Sequence, residues 1–404
     1  MADNVSANEK IVVGCIGVGG MGSNNMRDFI KHPEVEMAAL CDVDADILGK
    51  ALVDAEERSG KRPKAFTDFR DLLEMKEIDA VMIATPDHWH AIPFITACEA
   101  GKDIFSEKPL SHSIVEAKSM LGAARHYKPV VQINTMQRSQ GHFRDAIDFV
   151  RSGGVGTVHV CRAWVCGRSG VGNNPIKEPP GHLDWDFWLG PGPKRPYHDT
   201  IHPYNWRSYI EWGTGNAGNW GAHFIDIVLL GMNEWHPLDV SSVGGRFFCP
   251  EDDDQDTPDT MIAVYRFPNY VMQWEAHVGK EGLDGGGTAG AEFIGEKGKL
   301  IVERSGIKWT PYGDNPGPEK KYENGDHVQD FLDNIKSRGT CRSDIETTYC
   351  TTVCCHLANL SYLYGGSVKW DGAKGEIIGD RKAEECLAYQ REYRKPWKLP
   401  TYKE

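Results

Sequence analysis

Residues 11–22 read IVVGCIGVGGMG, and this stretch decides the fold. Its first half is a near-continuous apolar run, which is typical of a parallel strand buried on both faces. Its second half fits the pattern G-x-G-x-x-G, and Met26, Phe29 and Ile30 follow at the spacing of a buried helix face. A strand, a glycine turn and a helix in this order predict an anion-binding loop at a helix N-terminus.

The next predicted strand covers residues 35–41 and ends in Asp42, about twenty residues past the last glycine, as in the dinucleotide fingerprint. A carboxylate there accepts hydrogen bonds from ribose hydroxyls and repels a 2′-phosphate, and residues 43–46 offer no Arg or Lys. The predicted cofactor is therefore NAD. Its predicted loop contacts are Gly17, Val18, Gly19, Gly20, Met21 and Gly22, followed by Asp42.

Composition narrows the class of partner. The 404 residues include 45 Lys and Arg against 58 Asp and Glu, a formal charge of −13, which disfavours nucleic acid and anionic membranes as partners. No apolar run has the length of a membrane helix, and the N-terminus lacks the features of an export signal. A cytoplasmic location is expected. An export leader that had been removed from this sequence would not be detected by inspecting its N-terminal residues. The eleven cysteines include no C-x-x-C and are expected to be buried free thiols.

Strand and helix patterns alternate up to about residue 140, which predicts a doubly wound parallel sheet of the Rossmann type. Strand patterns then dominate, at 157–165, 240–248, 260–267, 271–277, 291–294 and 299–303, and helices return at 327–337 and 347–364. The expected class is α/β, with a second α+β domain built on a large, mostly antiparallel open sheet. The expected domains are 1–138 and 139–404, with C-terminal helices able to pack back on the first.

Two polar segments leave strands at the edge where such sheets bind ligands. They supply further predicted cofactor contacts: Thr85, Asp87, His88, His90, Glu107 and Lys108. His88 and His90 resemble a metal pair, but alternate residues of an extended segment point to opposite sides and no third ligand follows. No metal is predicted. The glycine run 285–287 is predicted to be a loop near the site.

The Glu107-Lys108-Pro109 segment and later motifs resemble the Gfo/Idh/MocA oxidoreductases, which include glucose–fructose oxidoreductase and inositol dehydrogenases. The later motifs are Gln137-Arg138, Asn205-Trp206-Arg207, Arg394-Lys395-Pro396-Trp397 and Asn219-Trp220-Gly221-Ala222-His223-Phe224-Ile225-Asp226. The last is similar to the family pattern D-x-G-x-H-x-x-D. The resemblance covers most of the chain.

Hydride transfer from a carbinol requires a base for the hydroxyl proton and a positive group beside the oxygen. The resemblance implies Lys108 as the positive group, His223 as the general acid/base, and His90 as a neighbour of the cofactor. Asn219 departs from the family pattern, which usually has aspartate there; an amide can bind a hydroxyl but cannot accept a proton at neutral pH. The expected substrate contacts are Asn219, Gln137, Arg138, Trp206 and Arg207.

Aromatic residues crowd the region from 180 to 220, namely Trp185, Trp188, Trp206, Trp212, Trp220, Tyr197, Tyr204 and Tyr209. Aromatic faces among polar side chains suit a carbohydrate, although core packing is expected to account for about half of them. The Pro- and Gly-rich segment 167–204 is long for a simple connection and is expected to wall the pocket.

We therefore expect an NAD-dependent sugar, polyol or glycoside dehydrogenase. A second interpretation from the resemblance is an NAD-dependent glycosidase, in which a ring carbinol is oxidised transiently, the acidified C–H is lost and the aglycone eliminates. A third is a sensor that binds NAD without chemistry. The open sheet is expected to form a homodimer or homotetramer, with Met272 and Trp274 on a contributing strand.

Overall fold

The computed structural model describes residues 10–167, 170–282, 286–379 and 381–402. Part of the predicted glycine loop, Gly285, lies outside them. The strands are β1 (Ile11–Ile16), β2 (Val35–Cys41), β3 (Lys64–Phe66), β4 (Ala80–Ile83), β5 (Asp103–Ser106), β6 (Val131–Ile133), β7 (Val158–Gly167), β8 (Asp239–Gly245), β9 (Thr260–Arg266), β10 (Val271–Val278), β11 (Ala289–Gly295), β12 (Gly298–Glu303), β13 (Gly306–Pro311), β14 (Val368–Asp371) and β15 (Glu376–Ile378).

The helices among these residues are α1 (Gly20–Ile30), α2 (Ala45–Ser59), α3 (Phe69–Leu73), α4 (Ala91–Glu99), α5 (Ile114–Tyr127), α6 (Gly141–Arg151), α7 (Trp185–Leu189), α8 (Gly215–Asn219), α9 (Gly221–Met232), α10 (His327–Ser337) and α11 (Ile345–Tyr364). None of these helices combines the length and apolar character that crossing a membrane requires.

The first sheet is parallel and has the order β3-β2-β1-β4-β5-β6. The apolar run of β1 places it in the interior, where Val13 and Cys15 have no exposed surface. The strand order reverses between β1 and β4, so a crevice opens at the carboxyl ends of these two strands. The predicted Rossmann-type sheet is confirmed.

The second sheet has nine strands in the order β13-β12-β11-β7-β10-β9-β8-β14-β15. Only β7 and β10 pair in parallel within it; the other described pairs are antiparallel. The predicted large, mostly antiparallel sheet is confirmed. Four short strands were not predicted from sequence: β3, β13, β14 and β15. Three to six residues are too few for a clear alternation, and their side chains are largely polar or exposed.

The end of β8 shows how a side chain terminates a strand. The pattern predicted a strand to residue 248, but β8 ends at Gly245. The backbone N–H groups of Phe247 and Phe248 donate to the carboxylate of Asp259 at 3.1 and 2.9 Å. These bonds replace the ladder bonds that would have continued the strand.

Strand β10 shows which face of the second sheet meets the core. Met272 and Trp274 are fully buried in the main hydrophobic cluster, whereas Val271 on the alternate face is 40% exposed. Met272 and Trp274 therefore face the core, and the outward face of β10 carries their neighbours. The contribution of this strand to subunit contacts stays a prediction.

Helix α10 returns to the first sheet late in the chain. Its residues Val328, Phe331 and Leu332 belong to the same apolar cluster as β1, and the Phe331 ring meets those of Phe29 and Phe105 edge-on. The first sheet is thus covered partly by sequence far from its own strands. We keep as a proposal the division of the chain after residue 138, where β6 gives way to α6.

The glycine loop generates a test of packing. A Cβ atom at Gly22 would lie 2.1 Å from the carbonyl oxygen of Gly17, whereas one at Gly20 would meet no heavy atom within 4 Å. We expect Gly22→Ala to lower the free energy of unfolding by about 1–3 kcal/mol, as overpacking does. The matched variant Gly20→Ala should change it by less than about 0.5 kcal/mol. Urea unfolding of the NAD-free chain measures both; equal effects would contradict the packing argument.

Candidate active site

The glycine loop lines a cavity of about 390 Å³ between the carboxyl edge of the first sheet and residues 187–219. Gly17 has a positive φ of 82°, and a Cβ atom there would lie 2.8 Å from the backbone of Ala84. Helix α1 begins after Gly19 with no side-chain cap, so its first N–H groups are available to an anion. Gly17, Gly19, Gly20 and Met21 line the cavity, and these features fit the pyrophosphate of a dinucleotide.

Two members of the loop have other contacts. The Val18 side chain is fully buried, and its N–H donates to Oδ2 of Asp42 at 2.9 Å. Gly22 packs directly on Gly17. Both were predicted as cofactor contacts; neither lines the cavity, and they shape the loop instead.

Asp42 lies at the end of β2 and lines the same cavity. Its Oδ1 accepts from the Asp44 N–H at 3.0 Å, so two backbone bonds fix the carboxylate. Burial raises the pKa of Asp42 to about 6, although these backbone hydrogen bonds act to lower it. The carboxylate keeps lone pairs for ribose hydroxyls, as the NAD prediction requires.

The segment 170–212, which we call the strap, closes one side of the cavity. It pairs with the first domain through backbone bonds from Ala45 N to His182 O and from Asp184 N to Val43 O. The His182 ring lies 3.0 Å from a carboxylate oxygen of Asp44. The strap residues that line the cavity include Trp188, Tyr204, Trp206 and Arg207. The expectation that this region walls the pocket agrees with these contacts.

Most strap aromatics pack on one another rather than on the cavity. Trp185 stacks on Trp188 with centroids 4.8 Å apart, and Trp212 and Tyr209 have no exposed surface. The C-terminal segment fixes this cluster from outside, because Trp397 stacks on Phe187 at 5.4 Å. Among the predicted aromatics only Trp188, Tyr204 and Trp206 line the cavity.

The polar segment after β4 divides between the cavity and the strap. Thr85, Asp87 and His90 line the cavity. Asp87 accepts from Thr214 Oγ1 at 2.7 Å, and burial raises the pKa of Asp87. The His90 ring nitrogens lie 2.9 Å from the Thr85 carbonyl and 2.7 Å from the Pro109 carbonyl, so the ring joins the two polar segments.

His88 does not reach the cavity. Its ring is buried, and Nε2 lies 2.9 Å from the Trp188 carbonyl of the strap. Burial lowers the pKa of His88 well below the ordinary value, so the ring is neutral and donates to that carbonyl. The structure thus places His88 as a support of the strap and not, as predicted, against the cofactor. No cluster of metal-ligating side chains occurs in the part of the chain that the structure describes.

Glu107 lines the cavity but is engaged by neighbours from two further elements. Its Oε1 accepts from the side-chain amides of Asn25 and Asn134 at 2.8 and 2.7 Å. Its Oε2 accepts from the Lys108 backbone N–H at 3.2 Å. The carboxylate therefore orients the turn that carries Lys108. Neither asparagine was predicted, since no motif in the sequence marks them.

Lys108 reaches across the cavity to the second domain. Its Nζ donates to both the backbone oxygen and the side-chain Oδ1 of Asn219, each at 2.7 Å. Burial lowers the pKa of Lys108 to about 8; Glu107 and Asp87 oppose this shift, and Arg207 and Arg304 add to it. Asn219 was predicted as a substrate contact, but in the structure its oxygens hold the lysine.

His223 follows Asn219 by one helical turn, near the start of α9. Its ring is buried, and Nδ1 has no hydrogen-bond partner among the described residues. Burial lowers the pKa of His223 well below the ordinary value, and the charges of Lys108 and Arg304 act in the same direction. The imidazole is therefore neutral at pH 7 and able to accept a proton. His223 is not itself among the residues that line the cavity.

Gln137 and Arg138, the predicted substrate contacts that follow β6, do not line the cavity. The Arg138 guanidinium forms a buried, bidentate pair with Asp226 at 2.8 and 2.5 Å, and also donates to Thr347 Oγ1. This pair joins the end of β6 to α9 and leaves Arg138 without a face for substrate. Gln137 is buried, and neither of its amide atoms has a partner among the described residues.

Trp206 and Arg207, by contrast, line the cavity as predicted contacts. The Arg207 guanidinium lies over the Trp206 ring, 4.1 Å from its centroid, and donates to the Tyr204 carbonyl at 3.0 Å. Sequence reasoning missed Arg304, which lies in the β12–β13 turn, 5.0 Å from the Trp220 ring centroid. A lone arginine in a turn carries no local signal.

Comparison with known proteins supports this organisation. The model of an oxidoreductase family with an NAD-binding Rossmann fold matches residues 11–135, and that of its C-terminal alpha/beta domain matches residues 154–399. The chain belongs to the Gfo/Idh/MocA oxidoreductase family. The first of these family models describes an NAD-binding Rossmann fold, so NAD is the cofactor of the first domain.

Curated relatives match only in part. An uncharacterized oxidoreductase, YrbE of Bacillus subtilis (strain 168), is 32% identical over 154 residues, 38% of this chain and 44% of the relative. A glycosyl hydrolase family 109 protein of Shewanella pealeana is 33% identical over 120 residues, 29% of this chain and 26% of the relative. The chain thus aligns with less than half the length of these relatives.

Solved structures share the fold over nearly the whole chain. The WlbA dehydrogenase from Bordetella pertussis, in complex with NADH and UDP-GlcNAcA, has a TM-score of 0.70 at 17% identity, over 90% of this chain and 99% of that one. Levoglucosan dehydrogenase, in complex with NADH and levoglucosan, has a TM-score of 0.67 at 20% identity, over 89% and 99%. At such identities the similarity establishes the fold.

The contact between Lys108 and Asn219 generates a test. A carboxylate at position 219 would face the ammonium directly, so Asn219→Asp should raise the pKa of Lys108 from about 8 toward the ordinary value of 10.5. The pH dependence of Lys108 labelling by an amine-reactive reagent, followed by mass spectrometry, measures this. Asn216→Asp, on the same helix, is the matched control and should leave the value near 8. An unchanged pKa in Asn219→Asp would contradict the contact.

Proposed function

We propose that this Gfo/Idh/MocA oxidoreductase moves a hydride between NAD and a secondary carbinol of a sugar, polyol or glycoside. The position of Lys108 carries the proposal: its ammonium lies in the cavity that the glycine loop and Asp42 line, and Asn219 holds it there. A buried ammonium aimed into a cofactor cavity suits a reacting oxygen better than a structural ion pair, since its direct partner is a neutral amide.

In the oxidation, the carbon-bound hydrogen leaves as hydride, the hydroxyl proton leaves as H⁺, and the carbinol becomes a carbonyl. Bound NAD supplies the hydride acceptor. Lys108 donates to the reacting oxygen, lowers the pKa of the hydroxyl and stabilises the developing negative charge. His223, neutral for the reasons above, accepts the hydroxyl proton at a ring nitrogen.

The remaining residues of the proposed site bind or position. Trp206 and Arg207 line the cavity on the strap side and are the proposed substrate contacts. Asn219 is a positioning residue for Lys108. Arg138 supports α9, which carries His223, through its pair with Asp226.

A glycosidase outcome is the second candidate, favoured by the names of the glycosyl hydrolase family 109 relatives. Lys108 and His223 would serve it equally, because it also begins by oxidising a ring carbinol. The two candidates differ in the fate of the cofactor. A dehydrogenase accumulates NADH in proportion to product, whereas the glycosidase releases the aglycone without accumulating NADH.

A panel of sugars, polyols and aryl glycosides, assayed with NAD for both NADH absorbance and aglycone release, tests the proposal. Lys108→Met should abolish turnover and retain NADH binding, and His223→Ala should lower kcat by about 10²–10⁴. Because Lys108 is charged below its pKa, kcat/KM should fall as pH rises through about 8. Lys108→Arg, which keeps the charge, should move that decline to higher pH. Full activity of Lys108→Met would refute the assignment.

We also propose a homo-oligomer formed through the outward face of the second sheet. Ile262, Val264 and Val271 are 38%, 42% and 40% exposed, and they lie on the adjacent central strands β9 and β10. Three apolar side chains together on an open sheet face favour burial against another copy.

Sedimentation equilibrium at micromolar concentration tests this surface. The wild-type chain should sediment as a dimer or tetramer, and the double variant Ile262→Lys with Val264→Lys should shift it to monomer. Val53→Lys, an equally exposed valine on helix α2, is the control and should not change the mass. A stable wild-type monomer would overturn the proposal.

A further inference from the structure

Two arginines flank Lys108 without carboxylate partners. Arg207 lies on the strap, where its guanidinium donates to the Tyr204 carbonyl and lies over the rings of Tyr204 and Trp206. Arg304 approaches from the β12–β13 turn, where it lies over Trp220. Neither forms an ion pair with any residue that the structure describes.

The two arginines lie on different sides of the lysine. Arg207 lines the cavity beside Asp87, and both arginine charges lower the pKa of Lys108. Arg304 lies on the His223 side, where its charge also lowers the pKa of that histidine. The ring contacts agree, because Trp220 lies under the Arg304 guanidinium and its ring centroid is 6.2 Å from that of His223.

The acidic groups near Lys108 are engaged elsewhere. Glu107 accepts from two asparagine amides and a backbone N–H, and Asp87 accepts from the Thr214 hydroxyl. At position 219, where the family pattern usually has aspartate, the chain has a neutral amide. Three cations thus face two carboxylates, in a protein whose formal charge is −13.

This arrangement fits a ligand that brings its own negative charge. A guanidinium presents a planar fork of donors that matches a carboxylate or phosphate in two parallel hydrogen bonds. The Trp220 ring holds the Arg304 guanidinium in place, which reduces the entropy lost when it binds an anion. A neutral sugar would leave this fork unused.

We propose that the substrate is an acidic sugar, and that Arg304 binds its anionic group on the His223 side of Lys108 while Arg207 adds to the positive potential. The inference rests on the proposed function, because it assumes that the carbinol reacts at Lys108. The anionic group is the carboxylate of a uronic acid or the phosphate of a sugar phosphate, which share the same recognition chemistry.

The test measures binding to the NADH-loaded chain by isothermal titration calorimetry. The probes are D-glucuronate and D-galacturonate, their neutral counterparts D-glucose and D-galactose, and glucose 6-phosphate. At least one acid should bind about tenfold or more tightly than its neutral counterpart, and 0.5 M salt should reduce this preference. The uronates and the sugar phosphate distinguish the two sources of charge.

The variants assign the preference to a residue. Arg304→Gln should weaken binding of the preferred acid by about 10- to 100-fold, the usual range for a lost charge-assisted hydrogen bond, and leave neutral sugars little changed. Arg207→Gln should have a smaller effect. Arg144→Gln removes an arginine of α6 that also lies over an aromatic ring, that of Tyr322, and should have no effect.

Two results would overturn the inference: no acid that binds better than its neutral counterpart, or a preference that survives in Arg304→Gln. If Arg207→Gln instead weakened NADH binding itself, Arg207 would belong to the cofactor and Arg304 alone would carry the preference. The proposed function fails separately. Acids that bind selectively but yield no NADH or aglycone refute it, whereas equal turnover of acidic and neutral glycosides refutes only the inference.

Discussion

The hydrogen bonds from Lys108 Nζ to the two oxygens of Asn219 are the contact on which the site depends. Lys108 follows a strand of the first sheet, and Asn219 ends a short helix of the second domain. An ammonium partly withdrawn from water needs acceptors, and here both come from one residue of the opposite domain. The contact therefore fixes the domains at the point where the reacting atoms would meet.

Supporting contacts extend outward from this pair in both domains. Glu107 and His90 hold the turn that carries the lysine, through two asparagine amides and two backbone carbonyls. On the other side, the buried pair of Arg138 with Asp226 ties α9, which carries His223, to the end of β6. Such a pair is costly to break on one side only, because the remaining charge stays buried. Rigid support of this kind would keep His223, the proposed proton acceptor, and the Lys108 ammonium in fixed relative positions.

The same burial that builds the site also sets its charges. It lowers the pKa of Lys108 to about 8 and that of His223 well below the ordinary value, so a cation and a neutral base coexist at pH 7. An aspartate at position 219 would hold the lysine more strongly charged. The amide instead leaves the local balance positive, which is the basis for expecting an anionic substrate. One departure from the family motif thus links the protonation of Lys108, the proposed catalytic lysine, to the proposed choice of ligand.

The sequence by itself determined the glycine loop, Asp42 and the order of strands and helices, because these depend on steric rules and periodicity within a few residues. The Gfo/Idh/MocA motifs also marked Lys108 and His223. Only the tertiary structure decided which residues meet: it turned His88 to the strap and Arg138 to Asp226, and buried Met272 and Trp274. It also brought Arg304, 196 positions after the lysine, over the ring of Trp220, the residue that follows Asn219. The alternation of apolar and polar residues shows that the two faces of a strand differ. The residues that pack on each face lie far along the chain, and local sequence patterns carry no information about them.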